Sequence, residues 1–196
     1  MAFDLTLCLV PKQIETLLLE STNNINYAEW MQFIPELLKG SQPFDYQDQD
    51  LQQLKKDIAA LKRFYHFTDT YYFYDTYRCF STIDYLLNEH IQVTDTSIQP
   101  ALLWKGGTKY PGVTAGQGMA ITLYDKAAIE KISLLLVDLT FSDLLGYYDY
   151  EKMMEAGVYK LHPLESQEVV EVAFYKIRGI FLLALAEDLL VFKAID

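Results

Sequence analysis

The chain has 196 residues, 51% of them hydrophobic and 14% aromatic, which excludes a disordered polypeptide and suffices for one core. Its net charge of −11 and sequence pI of about 4.6 argue against nucleic-acid binding, because phosphate contacts need clustered Lys and Arg. Cys8 and Cys79 show no CxxC spacing and read as buried thiols of a reducing compartment.

Asp4 stands where a signal peptide would carry its apolar stretch, and no uncharged run reaches the roughly 20 residues that a membrane span needs. The expectation is a single domain over residues 1–196, cytoplasmic and off the membrane.

From Ala2 to Val10 the residues alternate. Phe3, Leu5, Leu7 and Leu9 share one face and Asp4, Thr6 and Cys8 the other, which predicts a strand with one buried face. Pro11 suits the first turn of a following helix, whose core face is Ile14, Leu17 and Leu18. A second short helix is predicted from Tyr27 to Leu38, closed by Gly40. Leu51, Leu54, Ile58, Leu61 and Tyr65 form the apolar stripe of a third helix.

An aromatic region follows, from Phe64 to Tyr85. Read on helical spacing, Phe73, Tyr77, Phe80 and Leu87 line one side, with Tyr74, Arg78 and Tyr85 on another. Gly106 to Gly118 reads as a glycine-rich loop. Met119 to Tyr124 predicts a strand, and Asp125 is placed to cap a helix over Lys126–Asp138. Tyr150–Ala156 predicts a short helix that Gly157 stops.

The last stretch, Glu165 to Ile195, organises the chain. Val170, Phe174, Ile177, Phe181 and Leu185 define one helical face, and further apolar residues widen it until the helix belongs inside a domain. Ser166 is its expected cap, with Glu168 in the positive first turn. Leu189–Phe192 then predicts a central strand. Gly179, mid-helix, costs about 1 kcal/mol relative to alanine, so it is expected to pack closely against another backbone.

The expected fold is α+β. Strands near Phe3–Leu9, Met119–Tyr124 and Leu189–Ala194 share a single mixed sheet with helices packed on it.

Three segments, "FDLTLCLVPKQIETLLLES", "MAITLYDKAAIEKISLLL" and "YDYEKMMEAGVYKLHP" with the helix and "LLVFKAI" beyond it, resemble the YfbM-like family of bacterial domains of unknown function. The likeness covers about two thirds of the chain in outline and implies an α+β fold without supplying an activity or a cofactor. The family's Trp-Asp…His group falls on Phe80, Ser81 and Asp84 here, so whatever that group does is in doubt for this chain.

The constellations that carry chemistry are sparse. The glycine loop lacks the Gly-Lys-Ser/Thr order of a P-loop and runs into a predicted strand, so no cofactor is expected there. His66, His90 and His162 form no HxxxH pair, so no metal is expected. No GxSxG elbow or Cys/His signature is present, and the reading leans away from an enzyme.

The one compositional oddity is the aromatic region. Its plainer reading is packing, with tyrosine hydroxyls reaching water or backbone. The functional reading is a contact surface of Asp69, Tyr71, Tyr72, Tyr74, Asp75 and Tyr85, with at least two of its tyrosines exposed.

The leading expectation is a non-enzymatic protein-binding domain, whose partner is another protein or a second copy of itself. Neutralisation of a basic partner, as by a toxin-immunity protein, is one concrete form. The alternative is a small-molecule enzyme with a pocket between the Gly106–Gly118 loop and the aromatic helix. There His66 or His162 would stand beside a carboxylate; an acid–base pair of His66 and Asp75 is one form.

Overall fold

The structure, a computed structural model, describes residues 4–21, 30–40, 48–61, 67–75, 78–94, 103, 105–115, 118–158 and 166–195. Its elements in order are β1 (Leu5–Val10), α1 (Gln13–Ser21), a 3-10 turn (Met31–Phe33), α2 (Ile34–Lys39), α3 (Gln49–Leu61), a second 3-10 turn (Asp69–Tyr71) and β2 (Tyr72–Asp75). Then come α4 (Phe80–Thr94), β3 (Thr108–Thr114), β4 (Ala120–Tyr124), α5 (Lys126–Leu136), α6 (Phe141–Leu144), a third 3-10 turn (Leu145–Tyr147), α7 (Tyr150–Glu155), α8 (Gln167–Ala186) and β5 (Leu190–Ile195).

The fold is α+β: among the described residues there is one five-stranded sheet in the order β2-β1-β5-β4-β3. Every ladder among the described residues is antiparallel, where the sequence reading expects a mixed sheet. The C-terminal strand β5 sits at the centre, between β1 and β4, as its apolar run predicts.

β1 and β5 are buried at every position. The polar side of β1 is therefore not a solvent face: Thr6 and Cys8 are buried too. Their faces are covered by different helices. The row Phe73, Leu7, Lys193, Thr122, Lys109 crosses the sheet on one face. α8 lies on that side, with Phe181 edge-on to Tyr124 at 5.2 Å and Ala173 beside Phe73. On the opposite face α1 and α2 approach: Tyr110 donates to Glu15 at 3.3 Å, and the Lys39 ammonium stands over the Tyr72 ring.

α8 buries Val170, Ala173, Phe174, Ile177, Ile180, Phe181 and Ala184, close to the predicted face. Leu185, expected in that face, is instead exposed, and Ala184 takes its place. α5 is strapped to α8 by side chains that reach backbone carbonyls. Ser133 donates to the Phe181 carbonyl at 3.0 Å. The Arg178 guanidinium donates to the carbonyls of Leu136 and Val137 at the end of α5, where the helical ladder runs out.

Local signals decide the helix ends. Asp125 accepts from the Ala128 N–H at 2.8 Å, the predicted cap. Ser166 occupies the N-cap position of α8 but makes no side-chain capping bond, contrary to expectation. Gly40 and Gly157, at φ 87° and 72°, take the left-handed turn that ends α2 and α7.

Two regions depart further from the sequence reading. The glycine loop contains the edge strand β3, and its register against β4 shifts between Lys109 and Thr114 around Pro111-Gly112. Proline is tolerated at a sheet edge and at a bulge, so Pro-Gly here marks an irregular strand. The aromatic helix is not one helix: Tyr72–Asp75 is the edge strand β2, and α4 begins only at Phe80. Among the described residues, no helix is long and apolar enough to cross a membrane.

Candidate functional site

A groove runs between the 69–75 segment and α8. Its strand wall follows from a run of consecutive aromatics. Tyr and Phe favour strands, and period-2 alternation sends Phe73 and Asp75 inward while Tyr74 faces outward. Asp75 is only 2% exposed and holds the start of α4. Its carboxylate accepts from the Phe80 N–H at 2.6 Å and from the Cys79 thiol at 3.4 Å. The turn between them puts Arg78 at φ 62°, and its guanidinium pairs with Asp4 at 3.3 Å.

Two cavities open along the groove. The first, about 260 Å³, is walled by Phe73, Val169, Val172 and Ala173, with Asp75, Glu168 and Lys176 as its charged lining. The second, about 320 Å³, lies between Asp69, Tyr72, Tyr175 and Gly179. Lys176 lines both. Tyr74 and Tyr175 are 45% and 40% exposed beside them, and Val172 is exposed as well.

The tyrosines differ in their partners. Tyr71 donates to Glu187 at 2.7 Å; that bond, then burial, raises its hydroxyl above the ordinary tyrosine value. Tyr72 is pushed up to about 12 by burial and by Glu36. Tyr74 donates to Asp4 at 3.3 Å.

Of the predicted surface residues, Asp69, Tyr71, Tyr72, Tyr74 and Asp75 share the 69–75 segment that forms this wall. Tyr74 alone of the four predicted tyrosines is exposed; Tyr71, Tyr72 and Tyr85 are partly buried, and Tyr77 of the same stretch lies outside the described residues. Asp75 is buried, not a surface acid. Tyr85 lines neither cavity; it lies beside Glu89 and Asp149, whose charges add to burial in raising its hydroxyl.

The sequence reading missed the α8 wall. Glu168, Val172, Tyr175 and Gly179 follow at helical spacing, a second stripe beside the core face. Gly179 is the clearest correction: a Cβ there would meet nothing within 4 Å, so no backbone packs against it, and it lines the second cavity.

The region proposed for the alternative pocket, between the glycine loop and α4, is occupied by a buried polar cluster. Lys193, 2% exposed, points its Nζ at the carbonyls of Leu103 (3.0 Å) and Gly106 (2.6 Å) and at the Tyr124 hydroxyl (3.4 Å). Asp84 accepts from the Leu103 N–H at 2.7 Å. Burial lowers the Lys193 ammonium to about 7, opposed by Asp84 and reinforced by Lys109.

The Tyr124 hydroxyl accepts from Nζ and donates to the Leu103 carbonyl at 3.3 Å, so Nζ has three acceptors within the cage. The cluster pins the start of the glycine loop to the central strand. His66 and His162, the candidate acid–base residues, lie outside the described residues. Among the described residues, no group of three or more His, Cys, Asp or Glu side chains is placed to hold a metal ion.

No family model matches the chain, and neither a curated protein nor a solved structure matches it.

Proposed function

We propose that this chain is a non-enzymatic protein-binding domain whose contact face is the groove between the 69–75 segment and α8. The observation that carries the reading is the pair of exposed rings, Tyr74 and Tyr175, beside two open cavities. Tyrosine gives a large, rigid contact area with a polar end, which suits it to binding hot spots.

The groove's dimensions fit a chain segment. From Glu168 to Gly179, α8 rises about 16 Å, the span of roughly five extended residues. The net charge of −11 favours a basic partner, through steering and through exclusion of acidic competitors. Neutralisation of a basic protein, as immunity proteins perform, is the concrete form of this proposal. A cytoplasmic setting, a bacterial origin and kinship with the YfbM-like family belong to the same proposal, on the sequence grounds given above.

The test places a photo-crosslinking amino acid at position 74 or 175 in the native host. Position 134, whose leucine is exposed on α5, serves as the control. The expected result is one discrete adduct from positions 74 and 175, absent from 134, whose captured protein is basic. An adduct of twice the chain's 22.7 kDa would identify a second copy as the occupant and overturn the basic partner. The same adducts from all three positions would remove the groove as the contact face.

A further inference from the structure

The first cavity has an uneven charge balance. Among the described residues two carboxylates line it, Asp75 in the wall, which also accepts from Cys79 and the Phe80 N–H, and Glu168 in the first turn of α8, against one ammonium, Lys176. The remaining described lining is Phe73, Tyr74 and Cys79 on the strand side and Val169, Val172 and Ala173 on the helix side, most of it apolar. Glu168 and Lys176 stand two helical turns apart, and among the described residues neither belongs to an ion pair. A monocation with an apolar stem satisfies this arrangement: the stem lies against Phe73 and Val169, and the charge meets Glu168 with Asp75 behind it.

We propose that the first cavity is a side-chain pocket that receives a lysine or arginine of the partner. This rests on the protein-binding reading above and deepens it, because it names which feature of a basic partner is read. It also gives the charges opposite roles. Glu168 attracts the incoming cation, whereas Lys176 repels it and restricts the pocket to a single charge.

The pocket is tested on the whole chain with small probes, independently of any partner. n-Pentylammonium mimics a lysine side chain, n-pentanol is its neutral counterpart and pentanoate its anionic one. Binding is followed by the methyl resonances of Val169, Val172 and Ala173. The ammonium is expected to bind more tightly than the alcohol, with pentanoate weakest. Glu168→Gln should weaken the ammonium by up to about fivefold, the range of a partly exposed ion pair, and Lys176→Gln should strengthen it. Both substitutions lie on the helix surface, so unchanged melting temperatures will show that the fold is intact.

A preference for pentanoate, or equal binding of alcohol and ammonium, would overturn the pocket. So would ammonium binding that ignores Glu168→Gln. A lysine-rich peptide separates this inference from the reading beneath it. If pentylammonium binds as expected and the peptide does not, the cation pocket stands and the protein-binding reading falls. If the peptide binds without moving the three methyl groups, the pocket falls and that reading stands.

Discussion

Gly179→Ala is expected to stabilise the protein. The residue lies in the interior of a 20-residue helix, where glycine costs about 0.8–1.0 kcal/mol relative to alanine through the backbone freedom it loses on folding. Nothing in the structure offsets that cost. A Cβ at this position meets no atom within 4 Å, so the added methyl meets no steric penalty. The gain should therefore be about 0.8–1.0 kcal/mol, which for a chain of this size raises the melting temperature by about 2–4 °C.

Paired thermal melts followed by circular dichroism, wild type against variant, measure it. Gly179→Leu sharpens the comparison. Close packing against a backbone would make leucine cost several kcal/mol by overpacking, whereas open space leaves it close to the alanine variant. A lower melting temperature for both variants would refute the open position and restore the packed one. A glycine kept where alanine is more stable also fits the groove, because any longer side chain there would enter the second cavity beside Tyr72 and Tyr175.

Two further outcomes follow from single interactions. Lys193 carries a proton below about 7 when folded but up to about 10.5 when unfolded. Its contribution to stability is therefore full above the unfolded value and is lost as pH falls to about 7, with a slope of at most about 1.4 kcal/mol per pH unit. Lys193→Met should remove that slope from urea-unfolding free energies between pH 7 and 9, and parallel profiles for the two proteins would contradict it. Asp125→Ala should cost about 0.5–2 kcal/mol, since the Ala128 N–H loses its acceptor at the start of α5, and an unchanged denaturation midpoint would count against the cap.

Periodicity made the frame legible. The alternation of Leu5, Leu7 and Leu9 placed β1, and the apolar run after Asp188 placed β5. Asp125 announced the start of α5 by chemistry alone. What failed was period in short aromatic runs. Tyr72-Phe73-Tyr74 is compatible with a helix or a strand by composition, and only pairing with Cys8, Leu7 and Thr6 settles it as a strand. Thr6 is buried against expectation for a related reason, whereas Cys8 is the buried thiol that the sequence reading expects. A strand covered by helices on both sides need not alternate with solvent, and small polar side chains survive burial when neighbours satisfy them. Lys193 shows the limit of composition, because no sequence pattern reveals that one lysine among the chain's cations finds carbonyl partners inside the core.

The groove sits between these cases. Half of it, the tyrosine segment, stood out in the sequence as an oddity. The other half was hidden in α8, where the sequence singles out neither Val172 nor Tyr175 and Gly179 reads as a close-packing position. Helical spacing separates the two sets. Val170, Phe174, Ile177 and Phe181 are buried in the core, while Glu168, Val172, Tyr175 and Gly179 form a separate stripe along the cavities. That second stripe combines a charge, an exposed valine, an exposed tyrosine and a glycine with no packing role. Tyr175 also serves the fold, with its ring edge-on to Phe174 at 5.2 Å and its hydroxyl accepting from the Phe141 N–H at 3.4 Å. Glu168, Val172 and Gly179, by contrast, add nothing to burial, and their coincidence beside β2 is the ground for proposing the binding face here and not at Tyr85.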